Sequence, residues 1–173
     1  MLKINFYPES NLNDYNEAVK FFQEFWEQDG EKITNKWEEI SGFKFWETEI
    51  NAVVGNFISH SHPLSLNADK PEELKKVILI HELGHRLLIK RIKGKRLKSG
   101  EENHKFLFLL LKDVLIELYG EDAFQTAFDF DIKLSIEFGK ELYENAWNWA
   151  LKFKTKEERQ EVFKNIINGE LEL

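Results

Sequence analysis

The sequence predicts an α+β fold: a small, mostly antiparallel sheet packs on one long apolar helix, and an all-helical half follows. Three observations carry this expectation. Alternating and β-branched segments occur only up to position 66, all three prolines (Pro8, Pro63, Pro71) lie in the first half, and beyond Pro71 only helical periodicity is visible. No repeat, low-complexity tract or Pro/Gly/Ser linker interrupts the chain. A single domain over 1–173 is expected, with the sheet and its helices in 1–119 and a helical extension in 120–173.

The elements follow in order. Leu2, Ile4 and Phe6 alternate with Lys3 and Asn5, which predicts a strand over 2–7. Ala18, Val19, Phe22 and Phe25/Trp26 recur at helical spacing and predict a helix over 12–28, with a second around 31–40 after Gly30. The alternation from Phe43 to Ile50 and the β-branched run from Ala52 to Ile58 read as two strands, and Leu64 to Leu66 as a short third one. Asn67 to Pro71, with Asp69 before the proline and Glu72/Glu73 just after it, is a helix start. The helix it opens should run over about 71–92 and stop at Gly94. Another should span 101–119 and stop at Gly120, and two or three more should fill 121–168. Phe124, Phe128, Phe138, Tyr143, Trp147 and Trp149 read as core of that helical half rather than as a binding platform.

Composition narrows the chemistry. The chain has 173 residues, 42% of them hydrophobic and 32% charged, the profile of a globular protein with a sizeable core. It has no cysteine, so neither a disulfide framework nor a thiolate site is possible, and any transition metal must be held by His, Asp or Glu. The net charge of -7 argues against nucleic-acid binding by the whole surface. Arg86 to Lys98 nevertheless holds seven basic residues and no acidic one. That segment 86–98 reads most simply as a solvated helix end and loop, and more sharply as a contact for nucleic acid or an acidic substrate. Neither an export signal nor an apolar run of about 18 residues is present, so no membrane partner and a cytoplasmic location are expected.

The chemistry is concentrated in Val77-Ile78-Leu79-Ile80-His81-Glu82-Leu83-Gly84-His85, an HExxH pattern on an apolar helix. Residues i and i+4 stand one above the other, so the imidazoles of His81 and His85 can reach one metal ion. Glu82 then lies beside the metal, where it can take a proton from a bound water. In a chain with five histidines the pattern arises by chance in roughly one case in fifty. The context strengthens it, because the motif follows an apolar run inside an expected helix and all five histidines fall between His60 and His104. Purely structural roles for His81 and His85 are disfavoured, since a buried glutamate between two histidines is costly without a cation.

A catalytic zinc site of this kind needs a third protein ligand. His104, at the start of the next expected helix in Glu101-Glu102-Asn103-His104, is the leading candidate, with Glu101 and Glu102 as competitors. Glu101 could instead accept a hydrogen bond from an imidazole N–H, since it shares a helix face with His104.

The HELGH segment, the 18 residues between His85 and His104, and the His104-x-x-x-Phe108 pattern resemble the SprT-like and WLM metalloproteases and their minimal-zincin relatives. The segment Ile58 to Leu66 is similar to the strand that precedes the active-site helix in those folds. The resemblance spans roughly residues 45–119. It implies a zincin-like fold with Zn2+ held by His81, His85 and His104, Glu82 as catalytic base, and an edge strand that pairs with an extended peptide substrate. The chain departs from those families in having no cysteine for a zinc ribbon, and the helices after 120 match nothing in them.

His60 and His62 point to the same side of an extended segment, as a second metal site or an oxyanion stabiliser would require. Surface loop histidines are the simpler reading. Tyr119 and Tyr143 could polarise a substrate carbonyl, and nothing in the sequence selects either. The expected function is therefore a zinc-dependent metallopeptidase, with a protein or peptide as substrate. Its alternatives are a non-catalytic zinc-binding zincin-fold module with a regulatory or protein-binding role, and a peptidase whose helical half covers the cleft. A histidine site of this kind also accepts other divalent ions.

Overall fold

The computed structural model describes residues 2–10, 15–89, 91, 99–137 and 141–173. Among these the chain is α+β and mostly helical. Its elements are β1 (Lys3–Pro8), α1 (Asn16–Ser41), β2 (Glu49–Gly55), β3 (Leu64–Asn67), α2 (Glu72–Leu88), α3 (Gly100–Tyr119), α4 (Glu121–Glu137), α5 (Leu142–Ala150) and α6 (Lys156–Asn168). Two compact units make up the chain, Met1–Leu87 and Leu88–Leu173, so the division falls at the end of α2. No helix among the described residues is long and apolar enough to cross a membrane.

The sheet is parallel throughout, in the order β1-β2-β3, which corrects the expected antiparallel arrangement. The 26 residues of α1 return the chain to the starting edge, so β1-α1-β2 is a parallel crossover unit. The sequence misleads here because the sheet is buried on one face only. Ile4, Phe6, Ile50, Ala52, Val54, Leu64 and Leu66 are buried. The opposite face carries Lys3 paired with Glu49 at 2.7 Å and Asn5 bonded to Asn51 at 3.0 Å. Such polar alternation is the usual mark of an antiparallel sheet, whereas parallel strands covered on both faces read as continuous apolar runs.

Two further expectations change. The separate helices at 12–28 and 31–40 are one helix, α1, with Gly30 inside it. A Cβ on Gly30 would stand 2.7 Å from the Trp26 indole, so glycine serves side-chain packing there rather than termination. The two strands expected over 43–50 and 52–58 are one, β2, which straddles the junction between them. Helix α2 ends at Leu88, short of the expected 92. The expected helix start at 12–14, the stop at Gly94, the basic residues Lys90, Lys93, Lys95, Arg96 and Lys98, and Phe138 lie outside the described residues.

In the first unit, α1 and α2 share a core with the sheet. Phe6 stacks on Phe22 at 5.7 Å, and the Trp37 indole donates to the Ile80 carbonyl at 3.1 Å, one residue before His81. In the second unit, the Asp113 carboxylate on α3 pairs with the Arg159 guanidinium on α6 through two hydrogen bonds of 2.9 and 2.5 Å, both groups buried. Arg159 also donates to the Phe153 and Lys154 carbonyls, so the buried charge is fully used. Of the aromatic residues expected in the core, Phe124 and Trp147 are buried, while Phe128, Tyr143 and Trp149 are only half-buried.

Asp131, on α4, is buried and accepts a hydrogen bond from the Trp147 indole at 2.9 Å. Burial pushes its carboxyl up to about 7, and the indole bond pulls weakly the other way. The folded state therefore keeps a proton that the unfolded chain loses near the ordinary aspartate value of 3.8. The stability this provides is fully present below that value, is lost as pH rises, and is gone above about 7. Asp131→Asn keeps an acceptor for Trp147 and cannot ionise. Urea unfolding should show wild type losing about 2 kcal/mol relative to this variant between pH 5 and pH 8. Parallel curves would show that the carboxyl titrates normally.

Candidate metal centre

His81, Glu82 and His85 sit in the last two turns of α2. The helix forms because Glu72 and Glu73 occupy its first turn, where negative charge is favoured, and because Val77, Leu79, Ile80 and Leu83 bury its inner face. One helical turn brings the two imidazoles together, with Nε2 to Nε2 at 3.1 Å and ring centroids 4.9 Å apart. Two nitrogens on a tetrahedral zinc with bonds of about 2.0–2.1 Å stand about 3.3 Å apart. The histidine pair already has nearly that spacing. Glu82, between them in sequence, is 9% exposed.

His104 lies one turn inside α3. The Ser99 side chain caps that helix by accepting from the Glu102 N–H at 3.1 Å, which fixes where the first turn begins. Its Nδ1 lies 2.7 Å from the Gly100 carbonyl. A carbonyl can only accept, so Nδ1 carries the proton and Nε2 presents its lone pair. Metal-binding histidines are held in just this way by an outer carbonyl. Burial lowers the imidazole to about 4, against the raising effect of the Gly100 bond, so the ring is neutral near pH 7.

His81, His85 and His104 form a group of three side chains that could hold a metal ion. Among the described residues this is the one group of three His, Asp or Glu side chains able to hold a metal ion. The donor set fits a divalent ion such as zinc: three half-buried imidazoles in a chain without a thiolate. Glu101 is engaged elsewhere, paired with Lys105 at 2.6 Å, and that bond holds its carboxyl below the ordinary range. The acceptor for the His104 N–H is the Gly100 carbonyl rather than Glu101.

The other sequence candidates separate clearly. His60 and His62 are exposed on the turn before β3 and belong to no metal-binding group among the described residues. Segment 58–66 is not one strand. The His60 backbone exchanges hydrogen bonds of 3.0 and 2.9 Å with Ser65, and the Ser59 hydroxyl accepts from the Asn67 N–H at 3.0 Å. The outer edge of β3, where the resemblance places an extended peptide, is therefore occupied by this chain's own residues. Of the two tyrosines, Tyr143 stands edge-on to His104 at 4.6 Å. Tyr119 ends α3, about 22 Å further along the helix.

The burial of Arg86, beside the last motif histidine, differs from the sequence expectation. The sequence groups it with a solvated basic loop, but its guanidinium is buried. It donates to both carboxylate oxygens of Glu47, with Nε to Oε2 at 2.9 Å, and to the Ser61 carbonyl. These bonds tie the residue after His85 to the segment before β2 and to the turn carrying His60 and His62. The signal lay in position: Arg86 follows a motif residue directly and Glu47 directly follows Phe45 and Trp46. Compared with family models, curated proteins and solved structures, the chain finds no match.

Proposed function

We propose that this protein is a zincin-type metallopeptidase, with His81, His85 and His104 as zinc ligands and Glu82 as general base. One observation supports the reading above the rest: His81, His85 and His104 form a group that could hold a metal ion, and the residue after the first of them is a buried glutamate. Zinc held there supplies Lewis acidity, which acidifies water and polarises a carbonyl.

The chain's own residues do the rest. The three histidines bind through neutral nitrogens, and at His104 the Gly100 carbonyl selects the tautomer that leaves Nε2 available. Glu82 accepts the proton released as water attacks the peptide carbonyl and returns it to the departing amine. Its burial limits competing hydration of the carboxylate. Peptides and unstructured proteins form the proposed substrate class, and the zincin-like assignment of the α+β fold belongs to the same proposal.

Metal removal tests this directly. The protein should hydrolyse an unstructured substrate such as casein, lose that activity with 1,10-phenanthroline, and regain it with added zinc. Hydrolysis that survives complete chelation would overturn the assignment.

A further inference from the structure

We infer that Tyr143 is a positioning residue for His104, and that α5 contributes to the centre by fixing this imidazole before any metal arrives. The inference rests on the proposed metal centre and adds to it a role for a helix without a ligand of its own.

A histidine near the start of a helix can adopt several rotamers, and only some would point Nε2 at a metal. His104 is restrained from three directions. The Gly100 carbonyl takes its Nδ1 proton at 2.7 Å. Phe108, one turn on along α3, packs edge-on at 5.4 Å, and Tyr143 packs edge-on from α5 at 4.6 Å. The imidazole is thus in edge contact with a ring of its own helix and with one from α5.

That wall is itself supported. Phe108 lies flat on the Trp147 indole, with centroids 3.8 Å apart and planes 12° from parallel. Trp147 is fully buried on α5 and donates to Asp131 on α4 at 2.9 Å. Tyr143 and Trp147 are one turn apart, so a single face of α5 supplies both the ring on His104 and the ring behind Phe108. The stack thus runs from a buried carboxylate on α4, through α5 and α3, to the imidazole. Freezing a side chain before binding removes an entropic cost from the binding step. The sequence offers Tyr143 as a group to polarise a substrate carbonyl, but its edge-on contact places it against the ligand.

The test is zinc affinity by chelator competition, on purified full-length wild type, Tyr143→Phe, Tyr143→Ala and His104→Ala. Loss of an outer support to a metal-binding histidine typically weakens binding about 10–100-fold. Tyr143→Ala should fall in that range, while Tyr143→Phe, which keeps the ring, stays within about twofold of wild type. Cobalt(II) gives a readout that a purely structural role would not move. The visible spectrum of Tyr143→Ala should shift toward that of His104→Ala, and that of Tyr143→Phe should match wild type. Wild-type affinity in Tyr143→Ala, or equal weakening in Tyr143→Phe, overturns the inference. If His104→Ala binds zinc like wild type, the metal centre itself fails and the inference fails with it. Weak binding by His104→Ala beside normal binding by Tyr143→Ala removes the inference alone.

Discussion

Glu82→Gln should retain its zinc and lose its peptidase activity. Glutamine matches glutamate in size and stays neutral, so it fits the buried position between His81 and His85 without creating a cavity. Glu82 is not among the three grouped ligand residues, so the metal should remain. The amide cannot accept a proton, however, and a positioned general base contributes about 10²–10⁴-fold to rate. The fall should appear in kcat and kcat/KM together, the pattern of an interaction made only in the transition state. Turnover within about tenfold of wild type would exclude Glu82 as the base. It would also favour the non-catalytic module, which should tolerate substitution at this position.

His104→Ala should have the second large effect, this time on the metal. Structural zinc binding is worth about 10–16 kcal/mol across four ligands, so losing one imidazole should cost about 3 kcal/mol, or about 10²-fold in affinity. Replacement by a neighbouring carboxylate is disfavoured for Glu101, because Lys105 already neutralises it at 2.6 Å. The variant should still fold. Ser99 keeps α3 capped, and the buried Asp113–Arg159 pair holds α3 to α6 without any contribution from the histidine.

Much of the candidate site was legible because spacing alone settles it. Any helix through 77–85 puts His81 and His85 on one face, and the apolar run before them makes a helix the expected state. His104 was legible one step less directly, as the first histidine of the next helix. The partner of its Nδ1 was not legible. A glutamate at i-3 and a backbone carbonyl at i-4 compete for that proton, and only the helix start at Ser99 settles which is aligned. The contact between Tyr143 and His104 was out of reach for a different reason. Tyr143 lies 39 residues beyond His104 on a separate helix, and periodicity says nothing about which helices pack together.

The fold divides along similar lines. Helix α3 ends at Gly120, where the sequence expects it, with a positive φ of +86° that favours glycine, and the three helices α4, α5 and α6 fill the stretch where two or three are expected. Strand direction was misread because the side-chain pattern reports burial of a face, not the sense of the neighbouring strand. A decisive cue was present but hidden by Gly30. Once 16–41 is one unbroken helix between two strands, a parallel crossover follows. Arg86 shows the limit of reading charge by composition, since one of the seven basic residues in segment 86–98 is buried against Glu47.

Metal content by elemental analysis, on purified wild type beside His104→Ala, bears most directly on the three-histidine centre. Expected is about one zinc per wild-type chain, with most of it lost from the variant after dialysis. Zinc undiminished in His104→Ala would contradict the three-histidine ligand set. A wild type that stays free of metal after zinc is added back would contradict the centre altogether.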